Sequence, residues 1–345
     1  MCREGVNLGF IYLGTLVGAG FMSGREIMIF FSAFGKDGLK GLAIACVLFF
    51  VLGYMILKGA IINQSISLRD ILLPISGERL MDLFEMCSHL FLAASYYIML
   101  SGSASVLKQG FGIPYTPSVL ILACIVSIWL SNGLKGLAKV NSVMVPLILL
   151  FAIMMFFRSN DDIKNLFSVS IFEGKSDYNY VLYALGYVSY NMMTGSMVLA
   201  SLGRYTKRRI AAFGAALLAT AGLFIVGVII WALTTVYYER LRYVEVPLVM
   251  LAKNEGPIFN TAAVVAMLFA MLTTAVGVGY AFISSFSHKL KLSQSHALLF
   301  LALGLPITYI GFSSLVGLIY PLFGVIGVIL IILIGVRRFL NIKIE

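Results

Sequence analysis

The chain has 345 residues, 60% of them hydrophobic and only 12% charged, with a formal net charge of +10. Soluble domains carry about 25% charged residues, so too few charges are present to cover the outside of a water-soluble fold this apolar. That excludes a soluble enzyme or binding module. Because the cations lie between apolar runs, it also excludes a nucleic-acid footprint.

One bilayer crossing takes roughly 20 residues at 1.5 Å of rise each, and apolar runs of that length recur along the whole sequence. They predict an all-α, polytopic membrane protein of about ten helices, near 6–34, 39–62, 80–107, 116–132, 138–157, 178–203, 209–238, 258–287, 295–316 and 319–337. The first run lacks a signal-peptide cleavage pattern and reads as a retained helix. It is too long for one straight crossing and holds Gly18-Ala19-Gly20-Phe21-Met22-Ser23-Gly24. Glycine costs about 1 kcal/mol relative to alanine in a helix interior, so three within seven residues predict an unwound backbone. Unwound backbone persists in a membrane only where protein, ions, solute or water satisfy it.

Arg25 and Glu26 follow directly. A charge deep in a membrane costs at least about 2.5–3.5 kcal/mol on insertion scales, and adjacent helical positions do not face each other. Glu26 therefore has three readings: it holds the second half-helix, binds a solute amine or carries a proton. The first, structural role is preferred. In the third helix Tyr96 and Tyr97 fall near mid-span, and His89 reads as packed or interfacial. The four cysteines are scattered and form neither a disulfide framework nor a metal spacing.

Five spans precede the polar stretch 158–177 and five follow it. The sixth span carries Ser189-Tyr190-Asn191-Met192-Met193-Thr194-Gly195-Ser196, polar residues in the middle of a crossing. This predicts a second interruption, at a depth matching the first. Paired interruptions in two halves point to a transporter's midplane binding site. The competing explanation is close helix packing through the small-residue pairs Gly14/Gly18 and Gly20/Gly24. An amino terminus on the cytoplasmic side places fifteen of the 25 Lys and Arg in inside segments and nine outside, with Arg25 inside the first span. The bias predicts both termini in the cytoplasm of a multi-pass plasma-membrane protein.

The stretch Gly14-Thr15-Leu16-Val17-Gly18-Ala19-Gly20-Phe21 resembles the broken first helix of the amino acid–polyamine–organocation superfamily, the LeuT-type fold. Its continuation GAGFMSGREI resembles more narrowly the bacterial YkvI-type membrane proteins. The resemblance implies one transporter domain built as a five-plus-five inverted repeat, about 6–157 and 178–337, with helices one and six discontinuous and helices three and eight packed against them. It implies alternating-access transport of an amino acid or related amine, driven by Na⁺ or H⁺, with no other cofactor.

By the same resemblance a Na⁺ site takes the carbonyls of Gly14, Val17 and Ala270 and the hydroxyls of Thr273 and Thr274. The residues alone leave open that both threonines bond back to their own helix. A second sodium site is not supported, because Phe21 stands where an amide side chain would be needed. For the solute, the amides of Gly18, Ala19 and Gly20 would face a carboxylate, while Tyr190, Asn191 and Thr194 would meet an ammonium group. Phe21, Tyr187 and Tyr190 would shape or gate the pocket, or simply pack in the core, and Tyr96 would reach it from helix three. The expected partners are a small solute and the lipid bilayer; oligomeric state is not legible.

Rival classes leave weaker traces. No HExxH run, mid-span aspartate pair or Ser–His pairing suggests an intramembrane enzyme. A channel needs a polar stripe along several helices, whereas mid-span polarity here gathers at the two predicted breaks and helix eight. A non-transporting sensor or assembly protein on a transporter fold stays open.

Overall fold

The computed structural model describes residues 3–64, 67–132, 150, 152–158, 179–205, 208–290 and 294–341. Nearly all of it is helix. The first apolar run forms three pieces, α1 (Arg3–Leu16), α2 (Ala19–Met22) and α3 (Arg25–Phe30), ending in a 3-10 turn, Ser32–Phe34. It is followed by α4 (Asp37–Asn63), α5 (Leu68–Phe111) and α6 (Tyr115–Asn132). The second half holds α7 (Tyr180–Ser201), α8 (Ile210–Val236), the short α9 (Tyr238–Leu241) and α10 (Pro247–Asn254), then α11 (Pro257–Leu290), α12 (Gln294–Leu303) and α13 (Phe312–Asn341). The all-α, polytopic architecture expected from composition is present. Among the described residues five helices are long and apolar enough to cross a membrane by length and composition.

Several boundaries differ from the pattern-based ones. α5 starts twelve residues before position 80. Its start is set by a capping box in which Ser67 Oγ accepts the Asp70 N–H at 3.3 Å and Asp70 Oδ2 accepts the Ser67 N–H at 2.9 Å. Beyond Pro74 the helix kinks at Gly77 (φ 71°, ψ 167°). Arg69 bridges the kink with ion pairs to Asp82 and Glu85, both 2.9 Å. Apolar content gave no signal there because Arg69, Asp70, Ser76, Glu78 and Arg79 interrupt a short apolar run. The turn between the last two spans falls at Gly311, not near residue 317, after a 3-10 stretch Leu305–Ile310. Most of the predicted fifth helix, 138–157, and the polar stretch 158–177 lie outside the described residues.

Helix packing follows from which faces are apolar. α5 packs on α11, α4 on α8, and α13 on both α7 and α5. α1 lies on α8 while α7 lies on α4, so the first segment of each half packs on the second segment of the other. Large apolar residues left exposed repeat at helical spacing, as in Val47 and Val51 of α4 and Leu318, Leu322, Val325 and Ile329 of α13. Outward apolar stripes of this kind are what a helix facing lipid needs.

Candidate functional site at the broken first segment

α1 stops because its hydrogen-bond ladder stops. Val17 N–H still donates to Leu13 O at 2.8 Å, and the next helical bond is Met22 N–H to Gly18 O at 3.1 Å. Between them the amides of residues 18–21 and the carbonyls of residues 14–17 become helix ends. Gly18 is extended at φ −77°, ψ 172°. The first predicted interruption is therefore real, and it lies within the expected glycine run. Gly14 is exposed and Val17 buried.

A second break follows one turn later. Ser23 Oγ donates to Gly20 O at 2.6 Å and accepts from Arg25 N–H at 3.1 Å. Gly24 takes the left-handed conformation, φ 81°, which costs a residue with a Cβ about 1 kcal/mol or more. This tight turn folds α3 back toward α2, and Glu26 swings against Gly20. A Cβ on Gly20 would overlap Glu26 Oε1.

Glu26 is 5% exposed. Tyr190 of α7 donates to its Oε2 at 2.8 Å, and Tyr320 of α13 is hydrogen-bonded to the same carboxylate. The two phenol rings stack with centroids 4.3 Å apart. Phe91 of α5 covers them, at 6.3 Å from Tyr190 and 6.1 Å from Tyr320. Phe30 and Tyr187 complete the cluster at 5.5 and 5.6 Å from Tyr190. The Tyr187 hydroxyl is buried and without a hydrogen-bond partner. Among the described residues no lysine, arginine or histidine forms an ion pair with Glu26. The adjacent Arg25 points elsewhere, donating from Nη1 to Arg242 O (2.9 Å) and Val244 O (3.3 Å).

The second predicted interruption is absent. α7 runs unbroken from Tyr180 to Ser201, so helix six is continuous here. Three of its polar side chains bond along the helix itself, while the buried Ser189 hydroxyl has no partner. Asn191 Nδ2 donates to Tyr187 O (2.9 Å), Thr194 Oγ1 to Asn191 O (3.3 Å) and Ser196 Oγ to Met193 O (3.4 Å). Side chains bonded to their own turn remove any need for the backbone to open.

The remaining candidates divide. Phe21 is fully buried, and Tyr187 and Tyr190 belong to the Glu26 cluster, Tyr190 being committed to the carboxylate. Tyr96 faces away from the Glu26 cluster, hydrogen-bonded with Ser127 of α6 and packed on Gly279 of α11. Thr273 and Thr274 both donate to Ala270 O, at 3.0 and 2.8 Å, the own-helix bonding that their sequence left open. A hydroxyl that has placed its hydrogen this way keeps lone pairs for another partner, but Ala270 O is then an acceptor twice over. α11 does pack on α2. Pattern reasoning missed Tyr320 and Phe91 entirely; each reads as an ordinary aromatic in an apolar helix, and no local signal links either to position 26.

Beside Arg25 the segment 242–248 ties several elements together. Leu248 N–H donates to Ser23 O at 3.2 Å. Gln109 of α5 clamps Val246, donating to its carbonyl at 2.7 Å and accepting from its N–H at 3.2 Å. Glu245 Oε2 accepts from Ser313 N–H at the start of α13, 2.6 Å. An open cavity of about 700 Å³ adjoins this segment, lined by Lys108, Gln109, Tyr115, Glu245, Lys253 and Tyr309 among others.

No protein-family profile matches the chain. It is similar to YyaD of Bacillus subtilis (strain 168), 26% identical over 345 residues and covering 96% of each chain. It is also similar to the membrane protein YkvI of the same organism, 25% identical over 330 residues, 93% of this chain and 92% of that one. Among solved structures it resembles MhsT in complex with L-phenylalanine, with TM-score 0.64 and 18% identity over 92% of this chain and 80% of that one. It resembles as well Mhp1, a nucleobase-cation-symport-1 family transporter with bromovinylhydantoin bound, with TM-score 0.59 and 13% identity over 87% and 70%. These likenesses identify the fold as LeuT-type, and the chain as a multi-pass membrane protein.

Proposed function

We propose that the protein is a secondary active transporter that moves a small solute, an amino acid or related amine, by alternating access. The observation that carries this reading is the break at Val17–Gly18. A membrane segment that gives up four helical hydrogen bonds in its middle needs other partners for them, and a solute with polar ends supplies partners that come and go. The proteins of like fold support the reading, since MhsT is described with L-phenylalanine and Mhp1 as a cation symporter. The exchange of packing partners between halves, α1 on α8 and α7 on α4, supports a single domain of two inverted repeats. It also favours membership of the amino acid–polyamine–organocation superfamily.

Within this reading the amides of Gly18, Ala19, Gly20 and Phe21 form the solute's side of the break. Asn191 and Thr194 face it from a helix that opens only transiently. Na⁺ is the coupling ion we infer, held by the carbonyls of Gly14 and Val17 and the oxygens of Ala270, Thr273 and Thr274. The mechanism then needs the α2–α3 hinge to move against α7 and α11 as the site turns from one face of the plasma membrane to the other.

The test is uptake into liposomes holding the purified protein, using a panel of labelled amino acids and amines with and without a Na⁺ gradient. Saturable, gradient-dependent accumulation supports the assignment. Binding without accumulation would make it a sensor, and flux that neither saturates nor follows a gradient would make it a pore.

A further inference from the structure

We infer that Glu26 is a proton-carrying group of the transport cycle, neutral when the cluster around it is closed and ionised when that cluster opens to water. This rests on the transport reading and deepens it, adding a proton-binding position to the sodium set.

The case begins with charge balance. A buried carboxylate requires a positive partner, and among the described residues none of the groups facing Glu26 is cationic. From α7 it meets Tyr190 and Tyr187, from α13 Tyr320, and from α2 only the backbone of Gly20. α5 contributes Phe91, an uncharged cover over the two tyrosines. On its own element Arg25 turns Nη1 to two carbonyls of the 242–248 segment and makes no ion pair with Glu26, its buried Nε having no partner.

Size then selects the cation. The rings around the carboxyl lie 4.3–6.3 Å apart, and Gly20 closes the remaining side so tightly that a methyl group would overlap Oε1. A proton is the one cation that adds no volume. The cluster also serves both forms of the carboxyl: Tyr190 and Tyr320 donate to it when it is ionised, and either hydroxyl oxygen can accept the hydrogen of the acid. The step is a simple transfer in which water on the open side gives a proton to a Glu26 oxygen. After the hinge turns, that oxygen returns the proton to water on the other side. No bond to carbon changes and no electrons move.

Two measurements test this. The first uses liposomes with the membrane potential clamped, an alkaline interior and a mixture of labelled amino acids outside. A one-unit pH gradient sustains at most about tenfold accumulation at one proton per solute; the wild type should show it, and Glu26→Gln should lose it while any solute exchange no longer varies with pH. A Glu26→Gln protein that responds to the gradient like wild type, or a wild type driven by Na⁺ alone, overturns the proposal and leaves transport standing. A wild type that neither accumulates nor exchanges overturns the transport reading instead. The second measurement is independent of transport. Infrared difference spectra of the purified protein between acid and alkaline pH should contain a carboxylic-acid band that Glu26→Gln removes and Tyr190→Phe shifts in midpoint. Its absence from the wild type overturns the proposal outright, and cooperative melting of each variant confirms that it is folded.

Discussion

Gly20 and Glu26, six positions apart and on opposite sides of the Ser23–Gly24 turn, share one space, since the carboxyl lies where any side chain at position 20 would go. Gly20→Ala is therefore expected to displace Glu26 and destabilise the protein by about 1–3 kcal/mol, the range for overpacking. In a Glu26→Ala background the same change should cost far less. A double-mutant cycle on thermal unfolding in detergent measures the coupling, and additive effects would mean the two positions do not meet.

Tyr190 and Tyr320 each donate to the carboxylate while their rings stack at 4.3 Å. Phenylalanine keeps the rings and removes only the donors. Each single change is expected to lower stability by about 0.5–1.5 kcal/mol, as for a hydrogen bond to the neutral acid, read as a drop in unfolding temperature. In a Glu26→Leu protein both changes should be close to neutral.

Thr273→Val with Thr274→Val removes the two hydroxyls assigned to Na⁺. Their hydrogens now rest on Ala270 O, so the helix loses little by the exchange. Wild-type protein is expected to melt at a higher temperature in NaCl than in choline chloride, by a margin that grows with the ion's excess over its dissociation constant. The double variant should melt at the same temperature in both.

Arg25 anchors the 242–248 segment from Nη1, which donates to the carbonyls of Arg242 and Val244. Arg25→Ala removes that donor and is expected to raise the rate of amide hydrogen exchange in residues 242–248, with α4 and α8 unchanged. Protection equal to wild type would show that Gln109 and Ser313 hold the segment unaided.

Gly195 sits inside the continuous α7, with Met192 Sδ 3.9 Å from where a Cβ would stand. Gly195→Ala should stabilise the protein by about 0.5–1 kcal/mol, the helix-interior difference between the two residues. If the transport cycle opens this helix, uptake falls even as the unfolding temperature rises.

The first interruption was legible because glycine changes the backbone itself, and Gly18, Gly20 and Gly24 stand close enough together for the effect to be local. The second was misread for an equally physical reason. Asn191, Thr194 and Ser196 look out of place in hydrocarbon, yet each returns its hydrogen to a carbonyl three or four residues back, and polarity alone does not distinguish that from an open backbone. The cost of burying Glu26 could be read from its position, but its partners could not. Tyr190 is 164 residues away and Tyr320 lies further still, in a helix whose pattern is uniformly apolar. That Tyr96 bonds with Ser127 of α6 could not be read either, because the pattern gives depth along α5 but not the side a residue faces.

The 242–248 segment is fastened at four places, to Arg25 of α3, to Ser23 in the turn before it, to Gln109 of α5 and to Ser313 of α13. Rearranging any one of those parts alone severs its own tie while the others stay made, so the segment loosens stepwise and comes wholly free only when all of its neighbours have moved.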